Sequence, residues 1–254
     1  MTTYYKENKI ISHFSKYWLK RENRLKFFDR KDYKLLQFIE NIKKIEGNKK
    51  LEILDVGCGT GNTLENINKY FPENNLYGID ITASLIDYAK KFRSPNIRFE
   101  VGSVLNIPFK EYKFDVLLLE NVLHHIVGST RNISKQLMKD AIKECIRVLK
   151  KPGYILIDEC LVRSRFDSYI LFYLTQIYSK INFLNIEIPS LEICEEIVVS
   201  FLTETEFMEI LENSGFTTLY KEVRLWRYKN IIEYIKQKLL KYPDRNIYYM
   251  GVIK

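Results

Sequence analysis

Apolar residues recur along this chain with two different periods, and the change from one to the other lays out its elements. Near the start, Ile10, Ile11, Phe14, Tyr17 and Trp18 fall at helical spacing, with polar residues between them. A second helical pattern, Leu35, Leu36, Ile39, Ile42 and Ile45, follows Asp32 as N-cap, and Gly47-Asn48 closes it. From Leu51 the apolar positions gather into short, almost unbroken runs: LEILDV, LYGIDI, IRFEV, FDVLLLENV and GYILIDECL. Runs of that kind are strands covered on both faces. Between them lie helical patterns, SLIDYAKKF and ISKQLMKDAIKECIRVLK among them. The alternation predicts a doubly wound α/β fold, a mostly parallel sheet with helices on both sides. Pro152-Gly153 is expected to turn the chain into the fifth strand.

The pattern breaks after Leu161. Residues 162–200 are dense in aromatic and aliphatic side chains, including Phe166, Tyr169, Phe172, Tyr173, Tyr178 and Phe183. A helix apolar on nearly all sides must be buried or cover something, so this insertion is expected to be a helical lid. Thr203 with Glu206 forms a capping box that opens a helix closing at Gly215. A strand (TTLYKEVRL), a helix around Asn230 to Leu240 and a last strand (NIYYMGVI) complete the pattern. The expected organisation is an N-terminal helical segment over 1–50, a core over 51–161, the lid over 162–200, and completion of the sheet over 201–254.

Composition changes this picture at three points. The longest apolar runs fall short of the roughly 18–20 residues of a membrane span, and the opening MTTYYKENKI has neither the apolar core nor the cleavage site of a leader. Cys58, Cys145, Cys160 and Cys194 are scattered and never form a CxxC, which reads as free thiols in a reducing, cytoplasmic setting and not as a zinc site. The net charge of +8 is unevenly spread: residues 1–50 hold 14 Lys/Arg against 6 Asp/Glu, whereas 181–220 hold eight acids and no base. A basic stretch can be a solvated face, an arm for an anionic partner, or a segment packed on acids of its own chain.

The chemistry concentrates where the strands end. The first strand runs into Asp55-Val56-Gly57-Cys58-Gly59-Thr60-Gly61-Asn62. Glycines at 57, 59 and 61 allow a tight strand-to-helix turn and let a ligand approach the backbone. The helix that follows offers N–H groups to a carboxylate. The second strand ends at Asp80, an acid placed to accept hydrogen bonds from a ribose diol, and Ile81 supplies an apolar contact for a purine. The third ends at Gly102-Ser103-Val104, and the fourth runs through Glu120-Asn121-Val122-Leu123 into His124-His125.

Taken in order, LDVGCGTGN, GIDIT, GSVLNIPF, FDVLLLENVLHHI and LKKPGYILI resemble the class I S-adenosylmethionine-dependent methyltransferases of the small-molecule type. The resemblance covers 51–157 well and 203–254 in outline. It implies a seven-stranded sheet with the last strand antiparallel, and S-adenosyl-L-methionine as cofactor. The contacts it implies are Asp55, Gly57, Gly59, Asp80, Ile81, Ser103, Val104 and Glu120 or Asn121, with Gly61 completing the loop. One departure is Ser103, where the family often has an acid facing the adenine amino group; a serine accepts that bond more weakly.

The sulfonium makes the methyl group electrophilic, so alignment of a nucleophile is the main task, and a hydroxyl or protonated amine also needs a base. His125, His124 and Glu159 are the candidates, with His125 ranked first; each can instead be a packing or loop-holding residue. The Asn/Asp-Pro-Pro-aromatic turn of base-amine methylation and the cysteine of pyrimidine methylation are both missing after the fourth strand, which disfavours nucleic acid. The acceptor is therefore expected to be a small or lipid-like molecule held under the lid. The N-terminal helix is a candidate second wall, and a homodimer made through the lid residues is the competing use of the same surface. An RNA or protein methyltransferase using the basic N-terminal segment, and a non-catalytic cofactor-binding module, are the alternatives.

Overall fold

The computed structural model describes residues 33–181, 198–225 and 243–254. The expectations for the first helix, for Phe183 and for the helix around Asn230 to Leu240 lie outside them. The first described helix, α1 (Tyr33–Ile45), buries Leu35, Phe38, Ile39 and Ile42, and Gly47 and Asn48 leave it with positive φ. Ile45, expected in the same apolar stripe, is instead exposed: it falls at the open end of the helix, and Phe38 takes a buried place that the pattern did not assign.

The core then alternates as β1 (Glu52–Val56), α2 (Asn62–Tyr70), β2 (Asn75–Asp80), α3 (Ala83–Phe92), β3 (Arg98–Val101) and β4 (Phe114–Glu120). It continues through α4 (Arg131–Val148), β5 (Leu149–Val162), α5 (Arg165–Ile181), β6 (Leu202–Thr203), α6 (Glu204–Asn213), β7 (Thr217–Leu225) and β8 (Arg245–Ile253). The sheet order is β3-β2-β1-β4-β5-β8-β7; β8 runs antiparallel to both β5 and β7, and the other pairings are parallel. A two-residue β6 beside the end of β5 adds an eighth strand to the seven expected. Pro152-Gly153 lies within β5, at a register irregularity against β4, and does not precede that strand.

Both faces are covered at the central strands β1, β2, β4 and β5, which is why these read as unbroken apolar runs, whereas β3, expected among them, lies at the sheet edge and is largely exposed. Val116 and Leu118 face α1, α2 and α3, in a cluster with Leu35, Ile39, Leu64, Ile86 and Ala89. Leu117 and Leu119 face α4 and α6, with Met138, Ile142, Phe207 and Ile210. The chain winds outward from β1 to β3 and then returns to the other side of β1 as β4, so the order reverses between β1 and β4. Ligands of such sheets bind in the crevice beyond the carboxyl ends of the strands at that reversal.

The insertion differs from its expectation in one respect. Helix α5 is two-sided: Ser168, Leu171, Phe172 and Thr175 are buried, while Phe166, Tyr173, Leu174 and Ile177 are exposed. Small and hydroxylated residues at 168 and 175 let the helix pack closely on Val162, Val199 and Phe201, and the bulkier aromatic face turns outward. Among the described residues no helix is long and apolar enough to cross a membrane.

Candidate active site

The glycine loop follows β1 at the reversal point. Gly57 has φ 78°, and a Cβ there would come within 2.5 Å of Val122, just after β4. Gly61, φ 78°, caps α2 with the Phe99 ring 2.6 Å from where a Cβ would stand. Both positions combine a left-handed backbone with no room for a side chain, so glycine is required. Gly57 N–H and Cys58 N–H both donate to the carbonyl of Ile79, 2.8 and 2.9 Å away. Asp80 completes the stitch: its carboxylate accepts from Gly59 N–H at 3.0 Å and from Thr82 N–H at 2.8 Å. Around Gly59 a Cβ would meet open space, as expected of a loop that leaves room for a ligand.

Asp55, Asp80 and Glu120 converge here from the ends of β1, β2 and β4. Asp55 is buried, and its carboxyl is pushed well above the usual range, by burial first and then by the negative charges of Glu120 and Asp80. Burial also raises Asp80, opposed by the N–H bonds from Thr82 and Gly59. A buried carboxyl raised by two neighbouring negative charges, as Asp55 is, would be relieved by a cation. Ile81 is half-buried next to Asp80. Ser103 Oγ accepts from Leu105 N–H at 3.2 Å, and Val104 packs against the α4-side core. Asn121, φ 55°, donates its N–H to Asp158 O at 2.8 Å, which carries the chain away from β4. All ten residues expected to contact a ligand therefore lie at the ends of β1 to β4 or in the turns that follow.

The three candidate proton-transfer residues also come together, with a division the sequence did not contain. One turn of 3-10 helix, Leu123–His125, follows β4. Glu159 on β5 is buried; one of its oxygens accepts from Leu123 N–H at 2.7 Å and the other from Cys160 N–H at 2.8 Å. The second oxygen also meets Nδ1 of His124. A carboxylate that already accepts two backbone N–H bonds acts as acceptor toward the imidazole, so Nδ1 carries a hydrogen toward it. His125 packs its ring on that of His124, centroids 3.9 Å apart.

Cys194 lies outside the described residues, and cysteine chemistry has no support at the three described cysteines. Burial pushes the thiols of Cys58 and Cys160 well up, with nearby carboxylates adding to it, and raises Cys145 to about 12. Protonated thiols are poor nucleophiles.

Another buried acid, Glu206, lies at the root of the insertion. Arg131, the first residue of α4, forks onto both carboxylate oxygens of Glu206, one of them at 2.8 Å, with both side chains only 2% exposed. Its Nε donates to Ser168 Oγ at 2.9 Å and its Nη2 to Phe201 O at 3.3 Å, tying α4, α5 and α6 together. Burial alone would raise Glu206; the bonds from Arg131 and Thr203 N–H, with the charges of Arg131 and Lys135, hold it below the usual range. The capping box was legible in the sequence, and Thr203 and Glu206 do form it. That the same carboxylate also neutralises Arg131 had no local signal. Of the described acids of 181–220, Glu204 pairs with Lys221 of β7, Glu206 with Arg131 and Arg165, and Glu209 with Lys135 of α4.

Comparison with known proteins agrees with this geometry. A family model described as a methyltransferase domain matches residues 47–215. An uncharacterized methyltransferase of Schizosaccharomyces pombe is 29% identical over 135 residues, 47% of this chain and 45% of that protein. The ubiquinone/menaquinone biosynthesis C-methyltransferase UbiE of Campylobacter jejuni is 27% identical over 181 residues, 67% of this chain and 72% of that one. The match thus spans less than half of the yeast relative's length. A solved structure of an S-adenosylmethionine-dependent methyltransferase from Methanosarcina mazei superposes with a TM-score of 0.58 at 22% identity, covering 80% of this chain and 92% of that one.

Proposed function

The chain belongs to the class I S-adenosylmethionine-dependent methyltransferases, and from that premise we propose that it methylates a small or lipid-like acceptor with His124 as general base. The observation that carries this reading is the buried Glu159–His124 pair immediately after β4, beside the glycine loop. The residues present fit the cofactor: three converging carboxylates suit a ligand that bears a sulfonium and an ammonium, and the Gly57–Gly61 loop leaves room at Gly59. Asp55, Gly57, Gly59, Gly61, Asp80, Ile81, Ser103, Val104, Glu120 and Asn121 would hold it. When bound, S-adenosylmethionine supplies the electrophilic methyl group.

The chain's own part is to position the acceptor and take its proton. Glu159, pinned by two backbone N–H bonds, holds His124 in the tautomer whose Nε2 accepts a proton, and stabilises the imidazolium that forms. His124 takes precedence over His125 in this role because Glu159 orients it. An apolar acceptor is supported by the apolar insertion beside the site, and by the likeness to an enzyme named for quinone biosynthesis. The acceptor atom is one that must shed a proton: a hydroxyl, a protonated amine or an acidic ring carbon.

The test follows a radiolabelled methyl group from S-adenosylmethionine into prenylated hydroquinones and phenols, with bulk RNA and protein as competing acceptors. Label is expected in the small molecules; label in RNA or protein alone would overturn the acceptor class. His124→Asn should lower turnover roughly 10²–10⁴-fold and leave cofactor affinity intact. Unchanged turnover in that variant would remove His124 as the base.

A further inference from the structure

His124 is held on a second side by a residue far from it in sequence. Phe201 is 1% exposed, and its ring lies almost parallel to the His124 imidazole, centroids 5.1 Å apart and planes at 20°. The residue before it, Ser200, donates its N–H to the carbonyl of His124 at 2.9 Å. Phe201's own carbonyl accepts from Ser168 Oγ at 2.5 Å and from Arg131 Nη2 at 3.3 Å. The strip before β6 thus grips His124 by backbone and by ring, and is itself gripped by α4 and α5.

We propose that Phe201 is a positioning residue that sets the plane of the His124 imidazole, and that the buried Arg131–Glu206 pair holds Phe201 in place. This rests on the reading of His124 as the base. The physical need is plain. The Cβ–Cγ bond, the Nδ1 contact with Glu159 and the His125 ring limit the imidazole, but a hydrogen bond still tolerates a swing about Cβ–Cγ that carries Nε2 away from an acceptor. A face-to-face contact removes that freedom, and an aromatic face also favours the imidazolium that proton uptake creates. The root of the insertion is therefore part of the proton-transfer apparatus without touching the acceptor.

The chain has three histidines, so the His124 signals in NMR spectra of histidine-labelled protein are assigned by their loss in His124→Asn. In the parent, one tautomer with a slowly exchanging Nδ1–H is expected. Phe201→Leu should keep the sheet signals but speed that exchange roughly 2- to 10-fold, the loss of one aromatic stack, and mix the tautomers. Phe201→Trp should restore the parent pattern, which a role in filling volume alone would not require. Ser168→Ala deletes the hydroxyl bond to Phe201 O at little change in volume and should move the same signal in the same direction; it serves if Phe201→Leu does not fold. Parent-like exchange and tautomer in folded Phe201→Leu or folded Ser168→Ala would overturn the proposal. The two readings fail separately: full turnover in His124→Asn removes the base, whereas an undisturbed Nδ1–H in Phe201→Leu removes the positioning role.

Discussion

Two buried acids, Asp55 and Glu206, lie close to either end of the 123–131 segment and are treated in opposite ways. At the crevice, Asp55 is surrounded by further negative charge and pushed well up. At the root of the insertion, Glu206 is equally buried, yet a bidentate arginine holds it below its usual range. Burial without a countercharge costs stability, and a chain keeps such an arrangement where something else gains from it. The contrast sets an uncompensated acid at the proposed cofactor crevice against a compensated one that ties helices together.

The largest effect is expected from breaking the compensated pair. Arg131→Met removes the bidentate partner of a buried carboxylate, leaving it Lys135 at 3.3 Å, and should cost about 3–5 kcal/mol in denaturant unfolding, with much of it recovered by adding Glu206→Leu. The pH dependence has a definite sign. Glu206 binds protons more readily unfolded than folded, so its contribution is complete above the ordinary range near 4.5 and is lost as pH falls through the depressed folded value. A loss under 1 kcal/mol, or one with no acid limb, would place Glu206 among the merely structural caps.

Next comes the crevice. Asp80→Ala should weaken S-adenosylmethionine binding by about 1.5–3 kcal/mol, roughly 10- to 150-fold, as read by calorimetry. Part of that loss comes through the glycine loop, because Asp80 also accepts from Gly59 N–H. Unchanged affinity would take Asp80 out of the site.

The smallest effect sharpens the contrast most. Asp55→Asn should stabilise the ligand-free chain at neutral pH, by roughly 0.5–2 kcal/mol, while weakening cofactor binding. Here the sign reverses: the folded chain holds the Asp55 proton more tightly than the unfolded one, so its favourable contribution lies at low pH and disappears as pH rises through the raised folded value. Thermal melts across pH test this directly, and a destabilised variant at neutral pH would show that Asp55 is compensated after all.

Much of the fold could be read before any coordinates. The strands, the glycine loop, Asp80 and the Thr203–Glu206 capping box rest on spacing within a few residues, where backbone sterics and hydrogen-bonding reach decide the outcome. The choice of histidine could not be read. His124 and His125 are neighbours with the same chemistry, and only the register of β5 against β4 brings Glu159 to one of them. Nor could the sidedness of α5: its sequence is apolar all round, and which stripe is buried depends on the strip 199–201 returning beneath it.

The sequence alone determined the architecture, because alternating strands and helices with both sheet faces apolar leave few ways to fold, and it placed ten candidate binding residues at the ends of four strands or in the turns that follow. Only the tertiary structure decided which charges meet. Arg131 reaches Glu206, Phe201 stacks on His124, and Asp55 lies between Glu120 and Asp80 through contacts made across the sheet. The energy of a buried charge depends on what surrounds it within a few ångströms, and in a folded chain most of those neighbours are remote in sequence.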